Sequence, residues 1–234
     1  MPQVNNPKRL RHPVREFLLD RTGRRDLANI GNAFPNLASL GSLMQPAMAE
    51  LQPSHQQYIT DVSIDYMAAS LESSALLCCL MDICQPTTMV DLGSGYSSYA
   101  VRQHAASTAN PVAIYSVDDS AEWLGKTREY LQENQCDTSH LYSWDQREAL
   151  DSLRFDLIFH DMGDMSLREA ALPWVFDHLA DGGVVVLDDM HKPRYRQAAQ
   201  RYMKANGVAT WSLRELTFDT LGRFAVMASK PNQG

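Results

Sequence analysis

The chain has 234 residues, of which 44% are hydrophobic, and a formal net charge of −7 at pH 7. This length and apolar content are enough to bury a core, so we expect the chain to fold alone. The acidic balance and the lack of a basic face on the main body argue against a nucleic-acid partner. No apolar run approaches the length of a membrane span, so we expect a cytoplasmic protein with no membrane partner. The four cysteines form no C-x-x-C pair, which argues against a disulfide framework.

Positive charge is concentrated near the N-terminus. Residues 1–25 contain seven lysine and arginine residues against Glu16 and Asp20, whereas the rest of the chain is acidic. Such an arm is either a solvated terminus or a flap or dimer contact that helps to hold an anionic ligand. Its basic residues are Lys8, Arg9, Arg11, Arg15, Arg21, Arg24 and Arg25.

The first quarter of the chain has no strong periodic signal. A short helix is predicted over residues 14–20, after Pro13. Residues 29–53 are apolar but interrupted by two glycines and three prolines. They are too broken for a long helix and predict a packed lid or an oligomer contact, which is the candidate surface for a homodimer. We therefore predict a basic arm with a lid or oligomer segment at 1–60 and a larger domain at 61–234.

Beyond this segment, short apolar strands alternate with helices. One or two helices are predicted over 58–83, and single helices at 97–106, 121–135, 167–180 and 193–206. Strands are predicted at 87–91, 113–117, 141–143, 155–160 and 184–187, with two later strands near 208–213 and 224–228. This alternation requires right-handed crossovers in a mostly parallel sheet that has helices on both faces. The predicted fold class is α/β, doubly wound.

A glycine-containing turn, Asp91-Leu-Gly-Ser-Gly95, follows the first strand. Glycine lets the backbone approach a ligand closely, and the start of the next helix offers unpaired N–H groups. The dinucleotide fingerprint needs a third glycine where Ser98 stands, so the loop alone is equally consistent with a simple tight turn. The candidate cofactor-binding residues here are Asp91, Gly93, Ser94, Gly95, Tyr96 and Ser97.

Five predicted strands end on a carboxylate, at the edge where such sheets bind ligands. The residues are Asp91, Asp118, Asp145, Asp161 and the pair Asp188-Asp189. Asp118 lies where a carboxylate can accept hydrogen bonds from both hydroxyls of a ribose, and Trp144 lies where an adenine could be sandwiched. Asp161 is a further candidate for cofactor binding. A single strand-end aspartate is more often a helix cap or turn residue, but five of them predict a site.

Three of these carboxylates, Asp161, Asp188 and Asp189, end neighbouring strands and could converge. They would repel one another unless a cation lies between them, and hard oxygen ligands favour Mg²⁺. The alternative is that Asp188 and Asp189 only cap the next helix. Asp164 and His191 are the candidate general bases, since an unperturbed histidine can abstract a proton near neutral pH. His191 could equally be a surface residue at a helix start.

These motifs resemble those of the class I S-adenosylmethionine-dependent methyltransferases. The resemblance spans about residues 70–229 and rests on the Asp91–Gly95 loop, Asp118, the 155–161 strand and the 179–189 segment. It implies a Rossmann-like sheet of seven strands that ends in an antiparallel hairpin. It also implies that the glycine loop holds the methionine part of S-adenosylmethionine and that Asp118 holds its ribose.

Within that family, Asp161 with Asp188 and Asp189 is similar to the metal-dependent small-molecule O-methyltransferases of the catechol type and of the macrolide and aminocoumarin sugar type. The resemblance implies a divalent ion that chelates the acceptor hydroxyl, lowers its pKa and aims it at the methyl group. The sequence departs from the catechol type, because Asp189 replaces an asparagine and Asp164 replaces a lysine. It departs from the sugar type in the spacing Asp161-x-x-Asp164, where that type has D-x-D.

Three functions follow from these observations. The first is Mg²⁺-dependent O-methylation of a small hydroxylated molecule. The second is metal-free methylation of nitrogen, carbon or a carboxylate, with the acidic cluster holding a cationic acceptor. The third is an NAD-dependent oxidoreductase or a non-catalytic nucleotide-binding module, against which the missing third glycine and the strand-end acids argue.

Overall fold

The computed structural model describes residues 13–108 and 111–230. Lys8, Arg9 and Arg11 of the basic arm lie outside these residues. The N-terminal part consists of α1 (Pro13–Ala33), a 3-10 helix (Pro35–Ser39) and α2 (Leu40–Asp61).

The prediction of a broken segment at 29–53 was wrong, because α2 continues through Pro46 and Pro53. Each proline removes one backbone hydrogen bond. The helix nevertheless forms because Met44, Leu51 and Tyr58, at a spacing of seven residues, are all buried. Full burial of one such side chain contributes about 1.5–3 kcal/mol, which offsets that loss. The predicted boundary at 60/61 falls inside this helix.

The remaining elements follow the predicted alternation. The strands are β1 (Thr88–Leu92), β2 (Ala113–Asp118), β3 (Leu141–Ser143), β4 (Phe155–His160), β5 (Leu179–Leu187), β6 (Ala209–Ser212) and β7 (Val226–Ser229). The helices are α3 (Leu71–Cys84), α4 (Tyr96–Ser107), α5 (Ala121–Glu133), α6 (Met165–Ala170), α7 (Leu172–Asp177), α8 (Pro193–Ala205) and α9 (Arg214–Thr217). The helix predicted at 167–180 is divided into α6 and α7, with Pro173 in the first turn of α7.

The seven strands form one sheet in the order β3-β2-β1-β4-β5-β7-β6. Neighbouring strands pair in parallel except β7, which is antiparallel to β5 and β6. The predicted Rossmann-like, doubly wound fold with a late antiparallel hairpin is therefore confirmed. Strand order reverses between β1 and β4, and this is the switch point where such sheets bind ligands.

Alternate residues of the central strands pack on opposite faces of the sheet. Met89, Leu157 and Phe159 join a core with α2 and α3, whereas Val90 and Ile158 join a second core with α7 and α8. Two buried faces explain why the strands are continuous apolar runs and why the polar residues collect at the strand ends. Among the described residues, no helix has the length and apolarity needed to cross a membrane.

Candidate functional site

A cavity of about 410 Å³ lies at the carboxyl ends of β1, β2, β4 and β5. The predicted residues on its wall are Gly93, Ser94, Gly95, Tyr96, Ser97, Asp118, Asp161, Asp164, Asp188 and Asp189. The fold thus brings most of the predicted site into one cleft. Asp91, Trp144 and His191 do not line it.

The glycine loop passes close to the turn after β4. Gly93 has a φ of 110°, and a Cβ at this position would lie 2.7 Å from the carbonyl carbon of Asp161. Gly95 precedes α4, and a Cβ there would approach the hydroxyl of Tyr58 to 3.3 Å. Both glycines keep the loop backbone next to the cavity, where the N–H groups at the start of α4 can meet a ligand.

Asp118 at the end of β2 is bound to the glycine loop. Its Oδ2 accepts hydrogen bonds from the backbone nitrogen and the hydroxyl of Ser94 at 2.7 and 2.9 Å, and its Oδ1 accepts one from the backbone nitrogen of Ser120 at 2.8 Å. Burial raises the pKa of Asp118, while these hydrogen bonds lower it. A carboxylate has four lone-pair directions and three are used here, so Asp118 can accept one further hydrogen bond, from a hydroxyl of a ribose in the cavity.

Asp91 lies below the loop, not on the cavity wall. The carboxylate is fully buried, and its Oδ2 accepts hydrogen bonds from the hydroxyls of Ser97 and Ser98 at 2.9 and 2.6 Å. Burial raises its pKa to about 7. No described residue donates a hydrogen bond to its Oδ1, which leaves one buried acceptor beneath the start of α4. The serine contacts fix the first turn of α4 from below the glycine loop.

The structure places Trp144 off the cavity wall. Its ring packs edge-on against Trp174, with a centroid distance of 5.7 Å, and the guanidinium of Arg147 lies above it. Trp123 lines the cavity instead, in the first turn of α5 after Asp118 and Ser120. The sequence signal for Trp123 was its position a few residues after Asp118, the carboxylate that ends β2. The chain continues along the cavity from the end of β2 into the first turn of α5.

Asp161 and Asp189 converge as predicted, but an arginine lies between them. The Nη1 of Arg168, on α6, is 2.7 Å from Oδ1 of Asp161 and 3.0 Å from Oδ2 of Asp189. The Nζ of Lys192 donates to the same Oδ2 of Asp189 at 2.6 Å. The described residues contain no group of three or more histidine, cysteine or acidic side chains placed to hold a metal ion.

Asp188 differs from its two neighbours. Among the described residues, no cation lies within ion-pair distance of its carboxyl group. Its Oδ2 accepts a hydrogen bond from the hydroxyl of Ser73 at 3.2 Å, and its Oδ1 accepts one from the backbone nitrogen of Asp189 at 2.6 Å. Burial raises its pKa to about 7. A buried carboxyl group of this kind on a cavity wall is suited to proton transfer.

The two predicted general bases have other environments. Asp164 is the N-cap of α6 and accepts hydrogen bonds from the backbone nitrogens of Ser166 and Leu167 at 2.8 and 2.9 Å. These bonds lower its pKa, which makes it a weaker base. The Nδ1 of His191 lies 3.2 Å from Oδ1 of Asp189, and burial lowers the histidine pKa. His191 does not line the cavity, so its role as the base stays a prediction.

A segment that the sequence did not single out completes the cavity. Residues 62–70 connect α2 to α3, and Tyr66 and Met67 line the cavity with largely exposed side chains. Arg223 anchors this segment by donating from Nη1 to the carbonyl oxygens of Tyr66 and Ala68 at 3.3 and 2.9 Å. The segment therefore forms an apolar rim opposite the charged strand ends.

Comparison with known proteins agrees with this geometry. Residues 90–190 match the family model of a methyltransferase domain. A search of curated protein sequences gave no match.

Several solved structures share the fold. The O-methyltransferase TomG from Streptomyces achromogenes, in complex with SAM, is 17% identical with a TM-score of 0.57, over 80% of this chain and 89% of that one. The SAH-bound methyltransferase PaMTH1 of Podospora anserina is 15% identical with a TM-score of 0.59, over 80% and 88%. The precorrin-6y C5,15-methyltransferase of Geobacter metallireducens is 20% identical with a TM-score of 0.55, over 70% and 91%. The predicted fold is confirmed by these structures, and the match to a methyltransferase domain model covers residues 90–190 of the predicted region.

Proposed function

We propose that the chain transfers a methyl group from S-adenosylmethionine to a hydroxyl oxygen of a small molecule, supported by the match of residues 90–190 to a methyltransferase domain model and by the fold shared with a SAM-bound O-methyltransferase. The single observation that carries this proposal is the bond between Asp118 and Ser94, which joins a ribose-binding carboxylate to the glycine loop. Gly93, where a Cβ would lie 2.7 Å from the carbonyl carbon of Asp161, keeps the loop backbone beside the cavity for the methionine part of the cofactor. The residues present therefore fit S-adenosylmethionine.

The acceptor would lie between the apolar rim and the strand-end carboxylates. Tyr66 and Met67 offer exposed apolar surface on one side, and Asp188 and Lys192 lie on the other. A molecule with an apolar or aromatic body and a hydroxyl group satisfies both sides. The fold alone does not select the acceptor atom.

The chain's own residues would position the reactants and move one proton. S-adenosylmethionine supplies a methyl group on a positively charged sulfur. Asp188 takes the proton of the acceptor hydroxyl while the oxygen–carbon bond forms and the sulfur–carbon bond breaks, which yields a methyl ether and S-adenosylhomocysteine. Asp188 is assigned this role because it lines the cavity and, among the described residues, is paired to no cation.

The divalent ion expected from the sequence is not part of this proposal. Arg168 pairs with Oδ1 of Asp161, and both Arg168 and Lys192 pair with Oδ2 of Asp189, so cations of the chain engage two of the three carboxylates that would bind Mg²⁺. The residues in this arrangement do not fit the metal site of the catechol type. The same pairing neutralises Asp161 and Asp189, so the cluster offers a cationic acceptor less negative charge than the sequence predicts.

Two measurements test the proposed function. Calorimetry should show binding of S-adenosylhomocysteine and none of NAD. Transfer of labelled methyl from S-adenosylmethionine to catechols, other phenols and hydroxylated sugars should then identify an oxygen acceptor. Binding of NAD without S-adenosylhomocysteine would support an oxidoreductase, and methylation of only nitrogen or carbon acceptors would contradict the assignment to oxygen.

A further inference from the structure

We propose that Arg168 is a built-in cation that takes the place of a divalent metal ion between Asp161 and Asp189, so that the protein neither binds nor needs one. The inference concerns the site of the proposed function, on which it rests for the reaction. Cation binding itself can be measured without cofactor or acceptor.

The hydrogen bonds of Arg168 leave the guanidinium no freedom to make room for an ion. Its Nη1 contacts the carboxylates of Asp161 and Asp189 at 2.7 and 3.0 Å. Its Nη2 donates to the carbonyl oxygens of Asp161 and Gly163 at 2.5 and 3.3 Å, and its Nε donates to that of Met162 at 3.3 Å. All five N–H donors of the side chain thus have an acceptor, and the residue is only 4% exposed.

These contacts hold the ends of two neighbouring strands together, as a bridging ion would. The turn at 161–163 follows β4 and Asp189 follows β5, so Arg168 joins the ends of two neighbouring strands. Asp189 is a non-glycine residue with a φ of 60°, a conformation that persists only when the surroundings hold it. Arg168 and Lys192 both bind its Oδ2 and supply that restraint.

The charges lead to the same conclusion. Arg168 contacts the carboxylates of Asp161 and Asp189, and Lys192 contacts that of Asp189, so two carboxylates face two cations. A divalent ion at this point would have to displace the guanidinium and leave it buried without acceptors, which is strongly unfavourable. Removal of the guanidinium should therefore uncover a site at which Asp161, Asp188 and Asp189 can bind a hard cation.

The test uses Mn²⁺ as the probe, with the free ion measured by electron paramagnetic resonance in the full-length protein. Wild type should bind no Mn²⁺ at this site, and Arg168→Met should gain one site that is lost again in Arg168→Met/Asp161→Asn. Arg102→Met is the matched control, because Arg102 is also buried and bonded to Ser98, Ile114 and Ser116 but lies off the cavity wall. It should gain no site.

Two results would overturn the inference. One is a Mn²⁺ site in wild type that Asp161→Asn or Asp189→Asn removes. The other is a folded Arg168→Met protein that gains no site, since Arg168 would then not be what excludes the ion. If Arg168→Met does not fold, Arg168→Gln gives the same comparison with one amide donor retained. A failure of the methyl-transfer assay leaves these binding measurements unaffected, so the two proposals fail separately.

Discussion

Asp118, the last residue of β2, accepts two hydrogen bonds from Ser94 in the glycine loop, at 2.7 Å from the backbone nitrogen and 2.9 Å from the hydroxyl. This contact joins the parts of the cleft assigned to the ribose and to the methionine of the cofactor. Under the proposed function, one carboxylate preorganises both halves of the cofactor site, and its loss should affect binding more than folding.

Asp118→Asn should weaken S-adenosylhomocysteine binding about tenfold, or ~1.4 kcal/mol. The amide retains one acceptor oxygen but loses the charge and half of the acceptor capacity that Ser94 and Ser120 use. Calorimetry gives the affinity. Asp145→Asn is the control, because Asp145 also follows a strand but is exposed and off the cavity wall. Equal affinities for both variants would refute the role of Asp118.

Gly93→Ala should lower the stability by about 1–3 kcal/mol, because alanine is strained at positive φ. Gly93 has a φ of 110°, and the added methyl would lie 2.7 Å from the carbonyl carbon of Asp161. Thermal unfolding measures the effect. Gly125→Ala is the matched control, since a Cβ at this position in α5 meets no atom within 4 Å. It should raise the stability by about 0.5–1 kcal/mol. A neutral Gly93→Ala would show that the loop is not constrained.

Asp188→Asn should reduce turnover about 100-fold or more, because an asparagine cannot accept the proton of the acceptor. Its affinity for S-adenosylhomocysteine should stay close to that of wild type. Asp164→Asn and His191→Asn test the bases expected from sequence and should keep most of the activity, since Asp164 caps α6 and His191 lies off the cavity wall. If either variant loses more turnover than Asp188→Asn, that residue and not Asp188 is the general base.

Asp91 should make stability depend on pH. Burial raises its pKa from 3.8 to about 7, so between these values the folded protein binds a proton that the unfolded chain has released. This residue's contribution to stability therefore falls as pH rises through that window and is constant above it. Asp91→Asn removes the effect, so its stability relative to wild type should increase from pH 4.5 to 7.5. Urea unfolding at both pH values measures the difference, and a difference independent of pH would contradict the raised pKa.

The N-terminal region and the charged cluster are where sequence reasoning and structure diverge. Pro46 and Pro53 predict a break, but Met44, Leu51 and Tyr58 are buried along α2, so tertiary packing overrides local propensity. Whether this segment also forms a homodimer contact stays a prediction. Arg168 was not singled out, because its pairing with Asp189, 21 residues away, depends on how α6 folds back over the strand ends. Trp144 and Trp123 differ in role for a similar reason, since only the packing decides which ring faces the cavity.

The sequence by itself determined the sheet, the glycine loop and the edge at which the acids collect. These features depend on local signals, namely apolar strand patterns, the Asp91–Gly95 turn and the requirement that parallel strands end at one edge. Only the tertiary structure decided what neutralises those acids. From the sequence, the carboxylates of Asp161, Asp188 and Asp189 favour a metal ion. In the structure, the guanidinium of Arg168 contacts Asp161 and Asp189, so the positive charge comes from within the chain.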